Sequence, residues 1–125
     1  KKSLSVLSNQ PLYGLELFNF MGNFKYILNT HSNFDKNNAV NLRVFESLSQ
    51  GCLLFTDQNS KMNKFFNPDE HLITYSSKKD LIKKINYYQK NEDIGVKIAK
   101  NGFEHIKKNH TTSIRFNKFK KILNI

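Results

Sequence analysis

At 125 residues the chain has room for one compact domain and little more, and an apolar content of 38% with 11 Phe and 5 Tyr supplies a core and argues against disorder. No run approaches the roughly 20 apolar residues that cross a bilayer. The opening Lys1-Lys2-Ser3-Leu4-Ser5-Val6-Leu7 lacks the long apolar run and cleavage site of a signal peptide, and a single cysteine excludes an internal disulfide framework, so the expected setting is reducing and cytoplasmic.

The first predicted element is a helix over Gly14–Met21 with Leu15, Phe18 and Met21 on one face, stopped at Gly22-Asn23. Phe24 to Asn29 is apolar on nearly consecutive positions, the habit of a parallel strand buried on both faces. A polar, aperiodic stretch from His31 through Asn38 reads as a loop. Asn41 is placed to cap a second helix, Leu42 to Gln50, with Gly51 just past its end; Leu42, Phe45 and Leu48 or Ser49 would face the sheet. Cys52 to Thr56 is a second buried strand. Asp57 to Asn67 is loop with a short helical piece around Met62, Phe65 and Phe66, and Asn67-Pro68-Asp69-Glu70 is a turn. His71 to Tyr75 is a third strand. Helices follow over Lys78–Lys90, with Ser76 or Ser77 as cap, and over 92–108, where Gly102 costs about 1 kcal/mol relative to alanine. A last helix begins at Thr111 or Thr112 and carries Phe116, Phe119 and Leu123. This order predicts an α/β fold: a Rossmann-like parallel sheet flanked by helices, with a helical C-terminus.

In open α/β sheets ligands sit beyond the carboxyl ends of the strands, which points to the loops at 31–41 and 57–63. The first feeds a helix N-terminus, where free amides and the helix dipole attract phosphate. Arg43 lies in the first turn, where a guanidinium can fork onto a diphosphate, and Glu46 three residues on can accept hydrogen bonds from two ribose hydroxyls. The commoner reading of an Arg and a Glu at that spacing is a surface ion pair worth about 0.3 kcal/mol. Asp57 could contact a ligand or cap the next helical piece. No D-x-D occurs, so no cation clamp of that type is available, and His71, His105 and His110 read as structural residues without zinc-ligand spacing. Cys52 reads as an inert buried thiol.

The charge is uneven. Residues 1–77 hold seven Lys and Arg against six Asp and Glu, whereas residues 78–125 hold thirteen against four. A basic C-terminal third fits a solvated helical face, or an anionic partner such as nucleic acid, an acidic membrane or a phosphorylated substrate. Only two of the basic residues are arginine, and no nucleic-acid-binding signature is present, so a specific nucleic-acid partner is not expected.

The stretch Asn41-Leu42-Arg43-Val44-Phe45-Glu46 followed by Gly51-Cys52-Leu53-Leu54-Phe55-Thr56-Asp57 resembles the N-x-R-x-F-E-x-x-x-x-G-x-x-L-x-T-D signature of group 1 GT-B glycosyltransferases, and within them the spore-maturation-protein-like subgroup. Gly14-Leu15-Glu16 and Leu28-Asn29-Thr30-His31 upstream are similar too, as are Glu70 to Tyr75, Asp80-Leu81, Tyr87-Tyr88, His110-Thr111 and Arg115 downstream, so the resemblance covers about residues 11 to 123. It implies the C-terminal, nucleotide-sugar-binding domain of a two-domain enzyme, truncated at its N-terminus and inactive alone. The implied partners are the missing N-terminal domain, a nucleoside diphosphate sugar, and a glycan, lipid or protein acceptor, with peripheral contact at the inner membrane face. No cofactor or metal is implied. The implied donor-binding residues are Glu46 at the ribose, Arg43 and Asn41 at the diphosphate, and His31, Asn38 and Val40 on the loop. Many group 1 enzymes carry an acid eight residues before the matching glutamate; here that position is Asn38, which leaves the sugar open. A basic nucleic-acid module and a non-catalytic glycosyltransferase-like domain are the alternatives.

Overall fold

The computed structural model describes residues 11–31 and 40–125. The N-terminal segment, most of the polar loop and Asn38 lie outside the described residues. The elements follow the order α1 (Gly14–Met21), β1 (Tyr26–Asn29), α2 (Leu42–Ser49), β2 (Leu53–Asp57), a 3-10 turn (Met62–Lys64), β3 (Ile73–Tyr75), α3 (Lys78–Lys90), α4 (Glu92–Asn109) and α5 (Thr112–Leu123). The strands form one parallel sheet in the order β1-β2-β3. Helices cover both faces, so the expected α/β architecture is the one observed.

Local signals explain most boundaries. Asn41 caps α2 by accepting from the Val44 amide, Ser77 caps α3 through Asp80, and Thr111 caps α5 through Ile114. Gly51 follows α2 at φ +70°, a left-handed turn that glycine adopts without strain.

β2 is buried along its length, and its alternating side chains build two cores. Leu54 faces α2 and the end of α4, packing with Val44, Leu48, Phe66, Leu72 and Ile106. Leu53 and Phe55 face α3 and the middle of α4, packing with Ile73, Tyr88, Ile98 and Ala99. α4 therefore contributes to both layers.

Two expectations need correction. The first strand is not buried on both faces: it starts only at Tyr26, Phe24 is 46% exposed and Leu28 is 58% exposed. It pairs with β2 alone, and the helical layer that covers Tyr26 leaves Leu28 uncovered. α2 is rotated from the expected phase, with Leu42 65% exposed and Val44, Ser47 and Leu48 buried. A serine inside the buried stripe disguised it. In α5, Phe116, Phe119 and Leu123 are about half exposed and no residue is buried. The helix touches the body mainly near its start, where the Arg115 guanidinium lies 4.6 Å from the centre of the Phe45 ring.

His71, His105 and His110 do pack as structural groups. Their rings stack in series at centroid distances of 4.2 and 5.3 Å, joined to Phe45, Phe65 and Phe66. Burial, then the neighbouring His105, Arg115 and Lys118, pushes His110 down to about 4. Burial and His105 also lower His71, against the opposing pull of Glu70. Both therefore fold as neutral rings, whereas unfolded imidazoles titrate near ~6.5. Their contribution to stability is complete above ~6.5 and is lost as the pH falls toward about 4. After allowance for solvent around His110, the loss should be on the order of 1–2 kcal/mol. Urea midpoints at neutral and acid pH check this, and His110→Phe should flatten the acid limb.

Candidate functional site

The carboxyl ends of the three strands and the start of α2 are tied together by a polar network. Asn29, the last residue of β1, donates its side-chain amide to Thr56 Oγ1 at 3.0 Å and accepts from Asn41 Nδ2 at 3.2 Å. Its main-chain carbonyl accepts from the Tyr75 hydroxyl at the end of β3, at 2.9 Å. Burial, with the nearby Asp57 carboxylate, pushes the Tyr75 phenol up, so it stays a donor against the opposing pull of Thr30. Asn41 in turn accepts from the Val44 amide at 3.3 Å and reaches the Thr30 carbonyl at 3.5 Å.

His31 lies one residue beyond Thr30. Its main-chain amide and its Nδ1 both meet Oδ1 of Asp57, at 2.9 and 2.6 Å. A carboxylate only accepts, so Nδ1 carries the hydrogen and Nε2 is left as the other ring atom. The ring is fully buried, while the Asp57 side chain is 19% exposed. Asp57 thus anchors His31, while at the next turn the Lys61 amide donates to Asn59.

The other predicted positions sit around α2. Val40 packs its side chain against the core cluster beneath α2. Arg43 and Glu46 meet each other at 2.8 Å, with the Arg43 side chain 42% and the Glu46 side chain 17% exposed, and Arg43 Nη1 also lies 3.8 Å from Met21 Sδ. Glu46 lines a groove of about 420 Å³ together with Phe18, Leu42, Ser49, Thr111 and Arg115. The structure thus joins His31 and Asn41 in the strand-end network and places Arg43 with Glu46 one turn away on the same helix.

Sequence reasoning missed two features here. Asn29, Thr56 and Tyr75 belong to the network, and their signal was positional: each lies at or next to the last residue of its strand. A polar cavity of about 480 Å³ also lies beside the ends of β2 and β3, lined by Gln58, Asn59, Asp69, Thr74 and Lys84. Lys84 reaches across from α3 to the Thr74 carbonyl at 2.6 Å, with Asp80 at 3.4 Å. A more apolar cavity of about 330 Å³, lined by Tyr26, Gly51, Leu53 and Val96, lies at the opposite, amino ends of β1 and β2. Cys52 is buried near there, and burial pushes its thiol up, which keeps it protonated and inert. Among the described residues no group of three or more His, Cys, Asp or Glu is placed to share a metal ion, and no helix is long and apolar enough to cross a membrane.

A family model described as "Glycosyl transferase-like" matches residues 2–121. No curated protein matches the chain.

Proposed function

The chain belongs to the glycosyl transferase-like family, and on that premise we propose that it supplies the nucleotide-sugar-binding domain of a metal-independent GT-B hexosyltransferase. The observation that carries this reading is the start of α2. It opens at the carboxyl ends of a parallel sheet, and its Asn41 cap engages the amide of Val44. Among the described residues the amides of Leu42 and Arg43 have no partner, in a place where the helix dipole favours negative charge.

The donor diphosphate lies across this end, with Asn41 and Val40 contributing backbone or side-chain contacts around the turn; Asn38 stays a candidate for the sugar by resemblance alone. Arg43 swings onto the diphosphate and Glu46 takes the ribose hydroxyls. For both to reach the donor, their 2.8 Å ion pair has to open. In the reaction, the acceptor hydroxyl oxygen bonds to the anomeric carbon as the bond from that carbon to the diphosphate oxygen breaks. The nucleoside diphosphate leaves with the electron pair. The α2 dipole and Arg43 offset the charge that develops on it. The acceptor, a glycan, lipid or protein, and the base that takes its proton belong to an N-terminal domain of the same enzyme. The basic face of the last two helices suits peripheral contact with an acidic, inner membrane surface, where a lipid-linked acceptor would be met.

Titrating UDP- and GDP-sugars by saturation-transfer NMR and calorimetry tests the site. Glu46→Ala should weaken the preferred donor by roughly 10- to 100-fold, the loss expected for hydrogen bonds from hydroxyls to a charged carboxylate. Full donor affinity in that variant would remove Glu46 from the site.

A further inference from the structure

Among the described helices α5 alone buries no residue. Its apolar side chains are nevertheless aligned. Phe116, Phe119 and Leu123 fall three and four apart, which puts them on one face, and Ile122 widens that face. All four are exposed, Ile122 by 77%. Single exposed apolar residues are ordinary, but a continuous stripe of them marks a surface that something covers.

The charges around the stripe select what covers it. Residues 112–125 hold Arg115, Lys118, Lys120 and Lys121 and no acid. Helical spacing sets Lys118 on one flank of the stripe and Lys120 on the other, and Lys120 Nζ lies 5.7 Å from the centre of the Phe116 ring. The last turn of α4 adds Lys107 and Lys108. Apolar side chains between flanking lysines suit a helix lying in the plane of an anionic lipid surface, its rings below the headgroups and its ammonium groups among the phosphates. A second copy of this chain fits less well, because it would set the same four cations against each other. Lysine is also depleted at the core of protein interfaces.

We infer that α5 is an in-plane membrane anchor, with Phe116, Phe119, Ile122 and Leu123 entering the acyl boundary of an anionic bilayer and Lys118 and Lys120 holding its phosphates. The inference rests on the peripheral membrane contact proposed above and adds insertion to it; it does not depend on the donor site. Arg115, stacked on Phe45, ties the start of the helix to the body, so insertion of the rest docks the domain in one orientation.

The chain has no tryptophan, so Phe119→Trp gives α5 a fluorophore of its own. With vesicles of equal parts phosphatidylcholine and phosphatidylglycerol its emission should shift to the blue, and bromine on the acyl chains should quench it. Vesicles of phosphatidylcholine alone should leave it unchanged, and an equal shift there overturns the inference. In co-sedimentation, Phe116→Ser combined with Phe119→Ser should lower partitioning onto the anionic vesicles by about tenfold or more. Both rings are half exposed, so the urea midpoint should stay in place; should this variant fold poorly, the Phe119→Trp emission still decides. Binding to anionic vesicles with no blue shift overturns the insertion and leaves the lysine contact standing. Failure to bind them at all overturns both. A blue shift that appears without lipid as the protein is concentrated, with a doubled mass by light scattering, assigns the stripe to a second copy and overturns the anchor.

Discussion

Gly102→Ala should lower the unfolding free energy by about 3 kcal/mol, as read from urea denaturation. Helix propensity alone predicts the reverse, a gain of about 1 kcal/mol. Packing decides the sign. A Cβ at this position would stand 2.4 Å from the main-chain oxygen of His71 and 2.9 Å from Leu48 Cδ2. The leucine tip can move, but a carbonyl at the entrance to β3 cannot move without disturbing the strand. The glycine that weakens α4 is therefore what lets the helix lie against the sheet, and the rows of both core layers depend on that approach. An unchanged or raised midpoint would show that α4 can shift to accommodate the methyl group.

Phe66→Ala should cost about 3–5 kcal/mol, enough to leave much of a marginally stable domain unfolded at room temperature. Phe66 is 1% exposed, and its ring meets those of Phe45, His105 and His110 at centroid distances between 5.2 and 5.6 Å. It fills the space between α2, α4 and the start of α5. Its sequence neighbour provides the control. Phe65 is 39% exposed, so Phe65→Ala should lose much less. Equal losses for the two would mean that the cluster is held by contacts at its rim and not at its centre.

Local chemistry made much of this fold legible in the sequence. Asn41 and Gly51 bracket α2, Ser77 opens α3, and the uninterrupted apolar run ending at Phe55 marks the central strand. Each signal acts through its own immediate backbone. What escaped depends on tertiary surroundings. Whether Leu28 is covered depends on how far a helix 60 residues later extends over the sheet; nothing within β1 encodes it. The rotation of α2 was hidden by Ser47, a polar residue in a buried stripe. At the site, the loop after β1 and the helix start were readable from strand–loop–helix order, and the Arg43–Glu46 pairing from their spacing. The union of His31 with Asp57 was not, since it joins residues 26 positions apart through the parallel register of β1 and β2. Burial of the His31 ring became visible only once that register was known.

Asn29 carries a consequence for how such a chain can change over time. Its side chain donates to Thr56 and accepts from Asn41, and its carbonyl receives the Tyr75 hydroxyl. The amide donates to Thr56 and accepts from Asn41 at once, whereas an aspartate there could only accept, so the Thr56 hydroxyl would have to turn toward it and away from Asp57. A change at this position disturbs the Thr56 and Asn41 contacts in one step, while the Tyr75 bond to the main-chain carbonyl survives it. The mouth of the sheet is thus braced by side chains from all three strands.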